Sequence, residues 1–203
     1  MASRTALITG VSRPLGIGFA VAQQLVEQGY HVILTARDVS KAEQLAAQLR
    51  PGVATALRLD LADPTSVAEA ADQVAQTFGH LDVLINNASF FPDHTALSAL
   101  DADLNAVRSA LEIDVIGPWG LILALLPLLK KAPAARIVNV SSVAASQIST
   151  AGTAADGLFR APAHSLAKYT LNVLTTVLAG ALADTPILVN AVDPGETATH
   201  PER

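Results

Sequence analysis

Three glycines stand in the run Thr9-Gly10-Val11-Ser12-Arg13-Pro14-Leu15-Gly16-Ile17-Gly18. The run joins a short apolar stretch, Ala6-Leu7-Ile8-Thr9, to a segment with apolar residues at helical spacing. A glycine lets a chain turn sharply off a strand. Glycines at a helix start let a pyrophosphate approach backbone N–H groups and the positive end of the helix dipole. Gly10, Ser12, Arg13, Gly16, Ile17 and Gly18 are therefore candidates to hold such a group, although an ordinary strand-to-helix turn would also use three glycines. A second β-prone run, His31 to Thr35, leads to Arg37 and Asp38. At this place an acidic residue selects a free ribose 2′-hydroxyl, whereas an arginine accommodates a 2′-phosphate. Arg37, helped by Arg13, predicts NADP rather than NAD unless both are solvated loop arginines. Asp60 and Leu61 end a third run, where a carboxylate either accepts from an adenine amino group or serves the turn. Asn86, Asn87 and Ala88 end a fourth, where paired amides suit a structured turn beside a ligand or only a turn. His164 and Lys168 are four residues apart, so they share one face of a helix.

The elements that position these residues alternate from the start. Helical spacing at Ile17, Ala20, Val21 and Leu25 ends near Gly29. Ser40 with Glu43 reads as a capping box for a helix that stops at Pro51-Gly52. Strands are predicted at Val53 to Leu59, Val83 to Ile85, Arg136 to Val140 and Ile187 to Val192. Asp63 before Pro64 marks a helix start that runs to Phe78 and Gly79. Asp101 to Lys131 reads as helix, with a junction near Asp114 to Pro118. Ser142 to Arg160 reads as loop, and Pro162 to Ala183 as a long helix. Six unalternating apolar strands, mostly linked by helices, predict an α/β fold with a doubly wound parallel sheet. No linker or repeat divides the chain, so a single domain over 1–203 is expected.

Composition narrows the function classes. Of the 203 residues 51% are hydrophobic and 15% charged, which excludes a disordered chain. A formal net charge of −5 with no basic block argues against nucleic-acid binding. Cysteine is absent, so disulfides, iron–sulfur clusters and Cys-ligated zinc are excluded. The five histidines have no metal-ligand spacing, and no metal is expected. The stretch Val115 to Leu129 is interrupted by Pro118 and Pro127 and is shorter than the ~20 residues of a membrane span. It reads as a buried helix, and a soluble cytoplasmic protein is expected. The glycine loop lacks the Gly-Lys-Ser/Thr ending of a phosphate-transfer loop, and Ser142 lacks a nucleophile-elbow context. Trp119 and Phe90-Phe91 read as core or pocket wall.

In order along the chain, five landmarks resemble the short-chain dehydrogenase/reductase family. They are the loop Thr9 to Gly18, Asp60-Leu61, Asn86-Asn87-Ala88, Ile137-Val138-Asn139-Val140-Ser141-Ser142, and Val189-Asn190-Ala191-Val192-Asp193-Pro194-Gly195. The resemblance covers nearly the whole chain, and Arg37-Asp38 looks like the NADP-preferring, carbonyl-reductase-type members. It implies a Rossmann fold, NADP(H) as cofactor and hydride transfer between NADPH and a carbonyl or secondary alcohol. It also implies cofactor contacts from Lys168, Pro194 and Gly195 and a homodimer paired through the helices around Val115–Lys131 and Pro162–Ala183.

The family's chemical residues carry over unevenly. Ser142 matches the serine that hydrogen-bonds the substrate oxygen, and Lys168 matches the lysine that holds the ribose and lowers a tyrosine pKa. That tyrosine should lie four residues before Lys168, where this chain has His164. The family's relay asparagine falls at Asp114. Neither Tyr30 nor Tyr169 can substitute: Tyr30 starts the second strand, and Tyr169 points about 100° around the helix from Lys168. A neutral histidine starts near pKa ~6.5 against ~10 for tyrosine, and a nearby Lys168 ammonium should lower it further. The glycine loop is two residues longer than the common form, and the stretch from Ser142 to His164 is also longer. The chain ends at Arg203, where relatives usually continue through a helix and strand. The competing reading is a catalytically impaired NADP(H)-binding protein that acts as a sensor or subunit.

Overall fold

The computed structural model describes residues 4–150, 160–195 and 197. Six strands form one sheet in the order β3-β2-β1-β4-β5-β6, and every pairing is parallel. The strands are β1 (Thr5–Ile8), β2 (His31–Ala36), β3 (Ala54–Arg58), β4 (Val83–Asn86), β5 (Arg136–Val140) and β6 (Leu188–Val192). Strand order reverses between β1 and β4, which opens a crevice at their carboxyl ends.

Alternation along β1 and β2 divides the core. Ala6, Ile8, Val32 and Leu34 face α1 (Ile17–Glu27) and α2 (Val39–Ala46), while Leu7 and Ile33 face the opposite layer. That layer holds α3 (Pro64–Phe78), α4 (Leu104–Leu111), α5 (Gly117–Leu129) and α7 (Pro162–Ala181). Burial on both faces is why the strands read as apolar runs rather than alternating ones. On the α1/α2 side of β6, Leu188 and Val192 are exposed, whereas Val189 is buried on the other side.

The start of α3 follows its sequence signals. Asp63 caps the helix through Thr65 N at 3.0 Å, Pro64 opens it, and Gly79 ends it at φ 73°. The start of α2 differs from expectation. Asp38, not Ser40, is its cap, and Asp38 Oδ1 accepts from both Ser40 N and Ser40 Oγ. Asp38 is the better acceptor and stands directly before the first helical residue. The helix also stops at Ala46, short of Pro51-Gly52.

Leu104 to Leu129 is a continuous 26-residue helical run, long and apolar enough by length and composition to cross a membrane. The prolines do not break it as the sequence suggested. Pro118 lies in the first turn of α5, and Pro127 is tolerated near its end. Leu121, Ile122, Leu125, Leu128 and Leu129 bury the inner face of α5 against the sheet, while Trp119 on the outer face is 44% exposed and is not core. A π-helical turn, Glu112–Ile116, joins α4 to α5. After β5, a 3₁₀ turn (Val143–Ala145) and the short helix α6 (Ser146–Thr150) occupy part of the stretch read as loop. The remainder, 151–159, lies outside the described residues.

Candidate active site

A cleft of about 410 Å³ opens over the carboxyl ends of β1 to β4. Gly10, Ser12, Arg13, Gly16, Ile17, Gly18, Arg37, Asp60, Leu61, Asn87 and Ala88 all line it. The glycines are required by packing as well as by access. Gly10 adopts φ +73°, and a Cβ there would come 2.6 Å from Ala88 Cα. A Cβ on Gly18 would come 2.7 Å from Asn87 Nδ2. The amide of Asn87 and the backbone after β4 are in turn tied to the end of β1. Asn87 Nδ2 donates to Thr9 O at 2.7 Å, and Thr9 Oγ1 accepts from Asn87 N and Ala88 N. Gly16, the N-cap of α1, carries no side-chain cap. The first turn of α1 therefore presents its unpaired N–H groups towards the cleft wall that Gly16, Ile17 and Gly18 form.

The rim is cationic on the β2 side. Arg13, Arg37 and Lys41 line the cleft there, together with Asp38. Lys41 was not recognised in the sequence; it lies one helical turn beyond Arg37, and only the placement of α2 brings it to the cleft. The Asp38 carboxyl is held below the usual carboxylate range, first by the Ser40 hydroxyl and also by Lys41. Asp60 contributes a turn, since its Oδ1 accepts from Ala62 N at 3.1 Å.

Lys168, Pro194 and Gly195 are not among the residues that line this cleft, and neither are Ser142, Asp114 and His164. Pro194 and Gly195 follow β6, at the far edge of the sheet from β1 to β3. Lys168 is buried behind β5. Its Nζ donates to Val140 O at 2.9 Å and pairs with Asp114 Oδ1 at 3.2 Å. Both side chains are almost fully buried. Asp114 reaches this position from the π-helical turn, whose extra residue turns Asp114 and Val115 inward together. The turn can press against the segment after β3 because Gly117 follows: a Cβ there would come 2.4 Å from Leu61 O.

His164 is buried in the first turn of α7, and among the described residues no hydrogen bond reaches its Nδ1. The Phe91 ring lies against it, centroid to centroid 4.5 Å. Ser142 is half-buried and caps its own 3₁₀ turn, Oγ accepting from Ala144 N at 3.2 Å. A hydroxyl that accepts retains its proton for a substrate oxygen. Beneath the site, Asn86 Nδ2 donates to Asn139 Oδ1 and Asn139 Nδ2 to Thr175 Oγ1, each at 2.8 Å. This chain fixes β4, β5 and α7 relative to one another.

The imidazole of His164 has its pKa lowered from 6.5, first by burial and second by the Lys168 charge, with Asp114, the Phe90 backbone and Asp93 opposing. Burial outweighs the lysine, the cause read from sequence. A folded-state pKa below the unfolded value means that the unfolded chain binds more protons in the window between the two. The neutral ring's contribution to stability is present above pH ~6.5 and lost as pH falls through the folded value. His31, also lowered by burial, adds in the same direction. Urea midpoints measured from pH 7.5 down to 5 should fall, and His164→Gln should make that fall shallower. An unchanged pH slope would show that the ring is not held neutral by the fold.

Sheet order, right-placed glycine turn and flanking helices define a Rossmann-like α/β fold. The family model for short chain dehydrogenase matches residues 4–203, and the chain belongs to that family. A trans-4-hydroxycyclohexanecarboxylate dehydrogenase from Sinomonas cyclohexanicum is 33% identical over 207 residues, covering 98% of this chain and 74% of the relative. The Pseudomonas aeruginosa RhlG/NADP active-site complex superposes with TM-score 0.83 at 31% identity, over 97% of this chain and 73% of that one. A 3-ketoacyl-(acyl-carrier-protein) reductase from Brucella melitensis complexed with NADH gives TM-score 0.82 at 25% identity, over 97% and 78%. Both coenzyme forms thus occur among the structural neighbours.

Proposed function

We propose that this family member is an NADP(H)-dependent oxidoreductase acting on a carbonyl or secondary alcohol. The cationic rim of the β1–β4 cleft carries the reading. Arg37 and Lys41 line the rim beyond β2, which suits the 2′-phosphate of a coenzyme ribose, and Asp38, next to Arg37 in sequence, is occupied in capping α2. The uncapped start of α1 suits a pyrophosphate. The bound coenzyme supplies the hydride. Ser142 orients the substrate oxygen by donating its hydroxyl proton, and His164 exchanges the proton that accompanies hydride transfer. Lys168, fixed by Val140 O and Asp114, sets the charge beside the imidazole.

The expected outcome is saturable quenching of protein fluorescence by NADPH, with substrate-dependent loss of NADPH absorbance across a panel of ketones, aldehydes and quinones. Arg37→Ala should weaken NADPH binding by roughly 10- to 100-fold, the scale of a charge-assisted phosphate contact. It should leave NADH binding nearly unchanged, and Lys41→Ala should act the same way but less. Equal losses for the two coenzymes would refute the 2′-phosphate reading. The buried Lys168–Asp114 pair supports a second reading, a coenzyme-binding protein without turnover, because it engages the lysine away from the cleft. Tight NADPH binding with no turnover from pH 5 to 9 selects it.

Assembly belongs to the same proposal. Ile116, Trp119 and Leu123 on one helical run, and Leu166, Tyr169, Val173 and Val177 on α7, are exposed at helical spacing. We infer a homodimer paired through these faces, as the family resemblance implies. A monomer in sedimentation velocity at micromolar concentration would contradict it.

A further inference from the structure

The start of α7 is capped from a distance. Its N-cap residue, Ala161, offers no side-chain acceptor and sits at φ 48°, ψ 60°, a left-handed conformation that alanine adopts only where its surroundings impose it. The first free N–H groups of the helix are satisfied instead by Asp93, 70 positions earlier in the chain. Asp93 Oδ2 accepts from Ala163 N at 2.6 Å, and Oδ1 accepts from His164 N at 3.4 Å. Asp93 is itself 7% exposed, so this is a buried carboxylate held by two backbone donors and the positive end of a 20-residue helix. The segment after β4 is tied down at two more points: Ala161 N donates to Ala96 O at 2.9 Å, and Phe90 N donates to Asp114 Oδ2 at 3.4 Å. Between them, the Phe91 ring covers the His164 imidazole.

We propose that Asp93 is a positioning residue, whose carboxylate clamps the segment after β4 onto the start of α7 and so holds the Phe91 ring over His164. The backbone of His164 and the segment that carries its aromatic cover then share one anchor. Without the clamp the segment lifts, the ring leaves, and the imidazole meets water. The consequence for catalysis rests on the reading of His164 as the proton-exchanging group; the clamp itself does not.

Diethyl pyrocarbonate acylates neutral imidazole, and its attack at each histidine can be followed by peptide mass spectrometry. His80, at the opposite end of β4, is the internal reference. At pH 7.5 the wild-type His164 should react at least about tenfold more slowly than a free imidazole, the protection expected of a locally closed site. Asp93→Ala should raise the His164 rate by at least about fivefold at an unchanged His80 rate. Phe91→Ala should do the same while leaving the melting temperature nearly unchanged, because the cap remains. Asp93→Asn, which keeps an acceptor, should restore most of the protection. A role confined to capping would lower the melting temperature of Asp93→Ala with no change in His164 reactivity, and that result would overturn the proposal. If Asp93→Ala does not fold, unchanged His164 reactivity in Phe91→Ala overturns it instead. Asp93 is outside the coenzyme cleft, so NADPH titration of the variants should match wild type. Loss of coenzyme binding in the wild type itself would refute the proposed function and leave the clamp to be decided by the acylation rates.

Discussion

Truncating Asp114 to alanine is expected to destabilise the fold by about 3–5 kcal/mol, the range for removing one partner of a buried ion pair. The side chains of Lys168 and Asp114 are 3% and 0% exposed, so neither charge has water to fall back on. In the variant the Lys168 ammonium keeps only its bond to Val140 O, and a cation held by a single carbonyl in a dry interior is strongly disfavoured. Lys168→Met should cost a similar amount for the opposite reason, since the Asp114 carboxylate would retain only the long contact from Phe90 N. Replacing both, as Asp114→Leu with Lys168→Met, should recover most of the loss, because the pair's mutual attraction mainly offsets its own desolvation. Urea unfolding with a constant m-value reads these differences directly. A cost below about 1 kcal/mol for Asp114→Ala is what an exposed pair gives, and would mean that the two groups are solvated. The cycle also separates structure from function: if the apolar double variant is stable and binds NADPH as tightly as wild type, the pair serves the chemistry or the surroundings of His164, not the coenzyme.

Much of the first half of the fold was legible because its signals are local. Thr9 to Gly18 announces a turn between a strand and a helix, and the structure adds only that Gly10 and Gly18 are also forced by contact with Ala88 and Asn87. Asp63-Pro64 and Gly79 bound α3 because caps act within one turn. The π-helical turn at Asp114 was foreshadowed as a junction, but its geometry follows from packing Gly117 onto Leu61, which no local pattern encodes. Lys41 is a single surface-type lysine until α2 is placed against β2 and β3. The role of Asp93 was invisible for a stronger reason: it caps a helix 70 residues away, and only the β4–β5–α7 arrangement brings the two together. The pairing of Lys168 with Asp114 was equally hidden, because the two stand on separate helical segments that only the packed fold brings together.

His164→Tyr should raise any carbonyl-reductase rate by at least about tenfold, or ~1.4 kcal/mol of barrier. In reduction, the substrate oxygen gains a proton as the hydride arrives. A neutral imidazole is a poor source: it must first take up a proton, and burial together with Lys168 opposes that. A phenol already carries its proton at neutral pH, and its conjugate base is the form that a nearby ammonium stabilises. The phenol also reaches further than the imidazole towards a substrate held by Ser142. The lysine's influence is divided, however, because Asp114 lies 3.2 Å from its Nζ and cancels part of its field. Asp114→Asn added to His164→Tyr should therefore increase the rate beyond the single variant, by freeing the Lys168 charge to act on the phenol while keeping an acceptor at the same place. The pH profile distinguishes the two proton donors. Wild-type reduction should decline as pH rises through the lowered imidazole value, whereas the tyrosine variants should hold their rate well above it. A folded, NADPH-binding His164→Tyr protein with an unchanged or lower rate would mean that position 164 is not the proton donor, and that the site's chemistry, if any, runs through another group.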